Sequence, residues 1–103
     1  MSNEAEVKRL RGLAATLDSR PFGHKEILGL LSDILQTFQK CLPLAKLEQR
    51  KANKWVCNFG IKGMSLIMVE RTHGSRGDII PVGWRKQMIN AIDEVLDFIE
   101  SQP

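Results

Sequence analysis

The sequence predicts an α+β fold in which two amino-terminal helices precede a small antiparallel sheet and a carboxy-terminal helix covers that sheet. Apolar residues recur at helical spacing through the first 43 residues, the period changes to two at Lys54, and helical spacing returns after Trp84. At 103 residues the chain has the length of a single domain (1–103). It divides into a helical part at 1–43 and a strand–strand–strand–helix part at 44–103.

The first helix is predicted to begin after Asn3, because an acid follows at the third position, where its carboxylate can accept from a free backbone N–H. Its apolar face comprises Val7, Leu10, Leu13, Ala14 and Leu17. Residues 18–23 form a turn, and a second helix covers residues 24–42 with a wider apolar stripe. It ends before Pro43, because the residue preceding a proline avoids the helical conformation. The stripe indicates core packing or a surface for a partner helix.

Residues 44–53 fit either a helical extension or a short alternating strand, and their composition favours the helix. From Lys54 onward, Trp55, Cys57 and Phe59 fall on one side of an alternating pattern, which predicts a strand. Glycines within residues 60–63 predict a hairpin turn, because they tolerate positive φ.

In residues 64–69 both sets of alternating positions are apolar apart from Ser65, which is typical of a strand covered on both faces. One cover is the last helix, and the other is the amino-terminal helices, a second subunit or a ligand such as stacked bases. Residues 79–82 predict a further strand that ends at an edge or turn, because of Pro81. The final helix carries a clean apolar stripe from Trp84 to Ile99, with Trp84 in the core and the acids on the solvent side.

Charge is unevenly distributed along the chain. The formal net charge is +3, but residues 44–87 hold nine basic and three acidic residues, and residues 88–103 hold four acids and no base. A basic sheet region beside an acidic helix is typical of a surface that binds a polyanion. A mixed surface with chance clustering is the other interpretation. The glycine-rich segment 72–77 predicts a flexible loop whose Arg76 can meet a phosphate.

Several classes of function have no support in the sequence. No catalytic motif is present, so we expect no enzyme, and the isolated His24 and His73 predict neither a metal site nor a cofactor. No apolar run approaches the ~20 residues of a membrane span. An acidic, polar start without a secretory signal and two widely separated cysteines, Cys41 and Cys57, indicate reduced thiols in an intracellular protein of the cytoplasm or nucleus.

The segment Lys62-Gly63-Met64-Ser65-Leu66-Ile67-Met68-Val69-Glu70-Arg71 resembles the positive-cofactor-four type of transcription coactivator and the related purine-rich-element-binding (PUR) repeats. In those domains a Lys-Gly or Arg-Gly turn precedes an aliphatic strand, and a further strand leads to a helix that ends in acids. The resemblance covers about residues 46–100. The chain departs from the pattern in having one unit, no tyrosine, a short loop before Asp78 and two additional helices.

This resemblance implies a curved antiparallel sheet backed by the last helix, often dimerised, that binds single-stranded nucleic acid. We expect binding of single-stranded DNA or RNA with low sequence specificity. Phosphates would contact basic side chains, and unstacked bases would stack on exposed aromatic rings. The candidate phosphate ligands are Lys46, Arg50, Lys51, Lys54, Lys62, Arg71 and Arg76. Trp55 and Phe59 are the candidate stacking residues, with core packing as the other interpretation of both.

Two classes of function therefore stay open. The first is a small nucleic-acid-binding protein, with a homodimer expected. The second is a protein–protein interaction or assembly module that forms a homo-oligomer without specific nucleic-acid binding. A double-stranded RNA binder is a third option. Its last helix would be expected to begin with several basic residues, and here only Arg85-Lys86 are basic at that point.

Overall fold

The computed structural model describes residues 3–64, 66–71 and 79–102. In chain order these residues form α1 (Glu4–Asp18), α2 (His24–Thr37), β1 (Lys46–Lys51), β2 (Lys54–Asn58), β3 (Ile67–Glu70) and α3 (Val82–Glu100). The three strands form one antiparallel sheet in the order β1-β2-β3. The predicted α+β class, with two amino-terminal helices, a small antiparallel sheet and a carboxy-terminal helix, is confirmed.

The helices bury the apolar positions that set their period. In α1, Val7, Leu10, Ala14 and Leu17 are buried, whereas Leu13 is exposed. At the start of α2 the backbone N–H of Gly23 donates to the Glu26 carboxylate at 3.4 Å. This helix ends at Thr37, five residues earlier than predicted, and the turn that follows keeps Phe38 and Leu42 in the core. The helical periodicity therefore continues through residues that pack without being helical.

The three helices form one layer in which α1 contacts both α2 and α3. Arg9 of α1 pairs with Asp33 of α2 at 3.2 Å, and Asp18 at the end of α1 pairs with Lys86 near the start of α3 at 3.4 Å. The contact between α1 and α3 is the most extensive among the helices, and α2 is the helix that contacts β1 and β3. One continuous core joins the helices to the sheet.

The sheet has one covered face and one open face. Alternate residues on the inner face contact the core, and three of them, Cys57, Ile67 and Val69, are 0–2% exposed. The outer face carries Lys46, Glu48, Lys54, Val56, Asn58, Met68 and Glu70. Val56 is buried by its neighbours but lies outside the core cluster, and Met68 is 48% exposed. The helix layer therefore closes the inner face and leaves the outer face to solvent.

Three predicted elements differ from the structure. Residues 46–51 are a strand, not a helical extension, because antiparallel pairing with β2 satisfies their backbone and places Leu47 opposite Cys57 on the inner face. The strand predicted at residues 64–69 begins only at Ile67. It is the last in order of the three described strands, and Met68 on its outer face is 48% exposed, so the prediction of a strand covered on both faces is wrong.

The strand predicted at residues 79–82 is also absent from the sheet. Ile79 makes a single bridge with Gly23, and the N–H of Ile80 donates to the Phe22 carbonyl at 3.0 Å. Pro81 has a φ of −55° and a carbonyl that accepts from Trp84 and Arg85. Because proline is suited to the start of a helix and cannot donate to a strand ladder, α3 begins at this point.

Candidate nucleic-acid interface

Four basic side chains, those of Lys46, Arg50, Lys51 and Lys54, lie on the outer face of the sheet. Lys46 and Arg50 extend from β1 on either side of Glu48, whose carboxylate oxygens lie 2.9 Å from the Lys46 ammonium and 3.3 Å from the Arg50 Nε. The hydrogen bond from Lys46, with a smaller contribution from Arg50, holds the pKa of Glu48 below its usual range. The side chains of Lys46 and Arg50 are exposed and that of Glu48 is half-exposed, so this network lines up the two cations along the strand without removing them from solvent.

A β-bulge adds a third cation to this face. Strict alternation along β1 would place Lys51 on the inner side with Leu47 and Gln49. The register between β1 and β2 shifts between Gln49 and Lys51, and Lys51 pairs directly with Lys54, which points outward. A bulge puts two residues of one strand against one residue of its partner and re-aims the following side chain. Lys51 therefore lies with Arg50 and Lys54 on the outer face, next to the turn between β1 and β2.

The Lys51–Lys54 pair places like charges directly opposite each other. Directly opposed residues of an antiparallel pair have Cβ atoms about 5 Å apart, and like charges there are destabilising. On its other side Lys54 pairs with Glu70 of β3, which is an acidic neighbour. A site whose repulsion is relieved by an incoming anion is the arrangement expected of a phosphate-binding surface.

The other predicted phosphate ligands lie around this face. Arg71 follows β3, and its backbone N–H donates to the Asn53 carbonyl at 2.7 Å, which places it beside the β1–β2 turn. Lys62 is exposed in the connection between β2 and β3, where Gly60 and Gly63 have the positive φ values expected from the sequence. This connection starts beside Asn58, the partner of Lys46, so Lys62 belongs to the opposite end of the face. Arg76 lies outside the described residues.

The two candidate stacking residues do not lie on the outer face. Phe59 is 2% exposed in the core, so core packing is the correct interpretation for it. Trp55 points to the inner face, where its ring stacks on the imidazole of His24 with centroids 5.6 Å apart and planes 18° apart. Neither ring can receive a base on the basic face. Trp84, predicted to be a core residue, is instead 43% exposed.

The sequence places the acids of α3 on the solvent side, but in the structure three of them pair with Arg11. Arg11 of α1 donates to Asp97, lies 3.4 Å from Glu100 and lies 3.8 Å from Asp93. The pKa of Arg11 is raised chiefly by the hydrogen bond to Asp97. These acids therefore neutralise a cation of the helix layer, while residues 44–71 keep six basic and two acidic residues. The charge surplus belongs to the sheet.

The described residues offer few other sites. Across residues 3–64, 66–71 and 79–102, no three His, Cys, Asp or Glu side chains lie together as a metal site would need. None of the three described helices is both long and apolar enough to cross a bilayer. Both cysteines are free thiols, and burial raises the pKa of Cys57 to about 12, which makes it a poor nucleophile.

Comparison with known proteins adds no relative to this geometry. The chain matches no protein-family model, no curated protein and no solved structure. The basic outer face must therefore be interpreted from its own residues.

Proposed function

We propose that this protein binds nucleic acids through their phosphate backbone, with little dependence on base sequence, on the outer face of its sheet. The observation that carries the proposal is the bulge in β1, which brings Lys51 beside Arg50 and opposite Lys54. Four cations on one open face, with repulsion built into one pair, favour an anionic ligand over a solvent-exposed surface of mixed charge.

The size of the face suits several phosphates. Lys46 and Lys51 mark the ends of β1, which span about 17 Å at ~3.3 Å per residue. One strand of a duplex places a phosphate about every 3.4 Å along the axis, so roughly five phosphates pass over this length. Four simultaneous contacts are therefore reasonable, and each would release condensed counterions.

Glu48 has a positional role in this proposal. Exposed ion pairs contribute only about 0–1 kcal/mol to stability, so the contacts to Lys46 and Arg50 matter mainly because they hold two long side chains over the face. A phosphate can replace the carboxylate as partner of either cation. Glu48 also opposes close approach by the ligand, which keeps binding moderate and reversible.

The support for single-strand preference is weaker than the sequence suggested. That preference rested on base stacking by Trp55 and Phe59, and both rings lie on the inner side of the sheet. Phosphate contacts alone act on either form of nucleic acid. We therefore propose phosphate recognition, in DNA or RNA, without assigning a stacking platform.

The direct test titrates labelled single- and double-stranded 20-nucleotide probes of two unrelated sequences with the protein at 50 and 200 mM salt. We expect similar affinity for both sequences and a steep loss of affinity at the higher salt. Absence of binding at 50 mM salt would refute the proposal. Light scattering of the same samples measures the homodimer expected from the sequence. A stable oligomer with no more than generic attraction to nucleic acid would favour the assembly module.

A further inference from the structure

A cavity lies where the turn between α1 and α2 meets the start of α3. It encloses about 510 Å³, a volume within the ~300–1,000 Å³ of small-molecule sites. Its described walls come from residues 17–22 and from the first turns of α3. An antiparallel bridge between Gly23 and Ile79 and a hydrogen bond from Ile80 to Phe22 join these two segments. Both segments lead from this junction to the cavity, so main-chain contacts hold its two sides together.

The charged side chains of the cavity are mostly basic. Arg20, Arg85 and Lys86 line it together with one acid, Asp18. Arg20 pairs with Glu26 at 2.7 Å, and Lys86 pairs with Asp18 at 3.4 Å. These pairs are exposed and therefore weak, so either cation can exchange its carboxylate for another anion at little cost.

Arg85 differs from the other two cations in its surroundings. The residue is partly buried, and its Nε is fully enclosed without a hydrogen-bond partner. Across the part of the chain that the structure describes, its guanidinium makes no ion pair. A partly buried charge without a partner is costly. An anion in the cavity that this residue lines would supply the partner.

The first turn of α3 adds free main-chain donors. The N–H groups of Trp84 and Arg85 donate to the carbonyl of Pro81, whereas those of Val82 and Gly83 have no acceptor within the helix. No side chain caps this end, and no acid lies in the first turn. The basic side chains there oppose the positive end of the helix dipole. An anion at this point would satisfy the N–H groups and neutralise the charge.

Apolar groups form the rest of the wall. They include Leu17 and Phe22, which are buried, and Pro21 and Val82, which are exposed. An inorganic ion would leave the exposed groups in water, whereas an organic substituent would cover them. A backbone phosphodiester suits the cavity less well, because it has a single charge and a chain that continues on both sides. The cavity therefore favours a phosphate carried at the end of a small organic molecule.

We propose that the cavity binds a small phosphate monoester, with the phosphate at the first turn of α3 and the organic part against Pro21 and Val82. The N–H groups of Val82 and Gly83 would donate to the phosphate oxygens, and Arg85 and Lys86 would balance its two negative charges. The cavity shares no residue with the basic face of β1 and β2, so the proposal does not depend on nucleic-acid binding.

The probe is phenyl phosphate, titrated into the intact protein by isothermal titration calorimetry and located by amide shifts in nuclear magnetic resonance spectra. We expect saturable binding, with the largest shifts at Val82 and Gly83. Methyl phenyl phosphate, the matched diester with one charge, should bind at least about tenfold more weakly. Arg85→Gln should weaken the binding of phenyl phosphate by a similar factor. Arg50→Gln, the same change on the outer face of the sheet, should leave it unchanged.

A second pair of variants adds the anion to the protein itself. A Cβ at Gly83 would meet nothing within 4 Å, so Gly83→Asp places a carboxylate at the first turn without a clash, and Gly83→Asn is the uncharged control. We expect Gly83→Asp to unfold at a higher temperature than Gly83→Asn, because the carboxylate complements the helix dipole. It should also bind phenyl phosphate more weakly than Gly83→Asn does, because it occupies the same donors.

The proposal has several ways to fail. Absence of saturable binding, an unchanged affinity with Arg85→Gln, or equal stability or equal affinity of the two Gly83 variants would overturn it. Inorganic phosphate that binds as tightly as phenyl phosphate would overturn the assignment of an organic ligand. Displacement of phenyl phosphate by an unphosphorylated 20-nucleotide strand would identify the nucleic-acid backbone as the occupant and would also overturn it.

Discussion

Replacing Arg50, Lys51 and Lys54 together by glutamine should remove three of the four cations of the outer face while keeping uncharged polar side chains at these positions. Each phosphate neutralised on duplex DNA contributes about −0.9 to the slope of log affinity against log salt, so four contacts give a slope of about −3.6 and one contact about −0.9. Between 50 and 200 mM salt the original protein should therefore lose about 150-fold in affinity and the triple variant about 3.5-fold.

Fluorescence anisotropy with a labelled duplex, measured at four or more salt concentrations, provides the slope directly. The matched control replaces three exposed lysines of the helical part, Lys8, Lys25 and Lys40, by glutamine, which changes the net charge by the same amount. This control should keep the slope of the original protein, because its cations lie off the outer face. Equal slopes for the two triple variants would show that binding follows net charge alone, and an unchanged slope for the first would place the site elsewhere.

Three further changes have expected outcomes. Lys51→Glu should raise the free energy of unfolding in urea by about 0.2–1 kcal/mol, because it replaces repulsion with Lys54 by attraction, and it should weaken nucleic-acid binding; a loss of stability would contradict the reasoning. Gly60→Ala should cost at least about 1–2 kcal/mol, because the φ of this residue is +71° and an added Cβ would lie 2.7 Å from a neighbouring side-chain carbon; a neutral effect in the same assay would refute this. Burial raises the pKa of Cys57 from 9.0 to about 12, so its contribution to stability is complete below pH 9 and decreases as the pH rises toward 12; the urea midpoint of Cys57→Ala should lack this part of the decrease, and identical pH profiles would count against it.

The helices were the predictable part of this fold. A period of 3.6 is repeated four or five times in α1, α2 and α3, so a single misplaced residue such as the exposed Leu13 does not disturb the prediction. The charge surplus of residues 44–87 could also be read directly, because it needs no knowledge of spatial neighbours.

The strands were harder to predict, because their signal depends on pairing. In β1 only Leu47 is apolar among six residues, so the segment has the composition of an exposed helix until β2 supplies its partner. The position of β3 beside β2 follows from the order of the described strands, and a short apolar run does not determine that order. Pro81 in an apolar run predicts the end of a strand, although it stands at the start of a helix.

The candidate site was predicted in composition but not in geometry. Lys46, Arg50, Lys51 and Lys54 were all identified from charge. Lys51 joins the other three only through the bulge after Gln49, which arises from the register between two strands and leaves no mark in one strand alone. The aromatic part of the prediction did not fit this face. Alternation shows that Trp55 and Phe59 lie on the same side of the chain, but it does not show whether that side is exposed or buried.

The contact between α1 and α3 has a consequence for how the chain is made. Arg11 and Asp97 are separated by 86 positions in sequence, so α1 leaves the ribosome long before the helix against which it packs. A helix of 15 residues is only marginally stable alone, and α1 lacks its most extensive helix contact until residues 82–100 are synthesised. Such long-range contacts slow folding. We expect the native helix layer to form only after translation has passed α3.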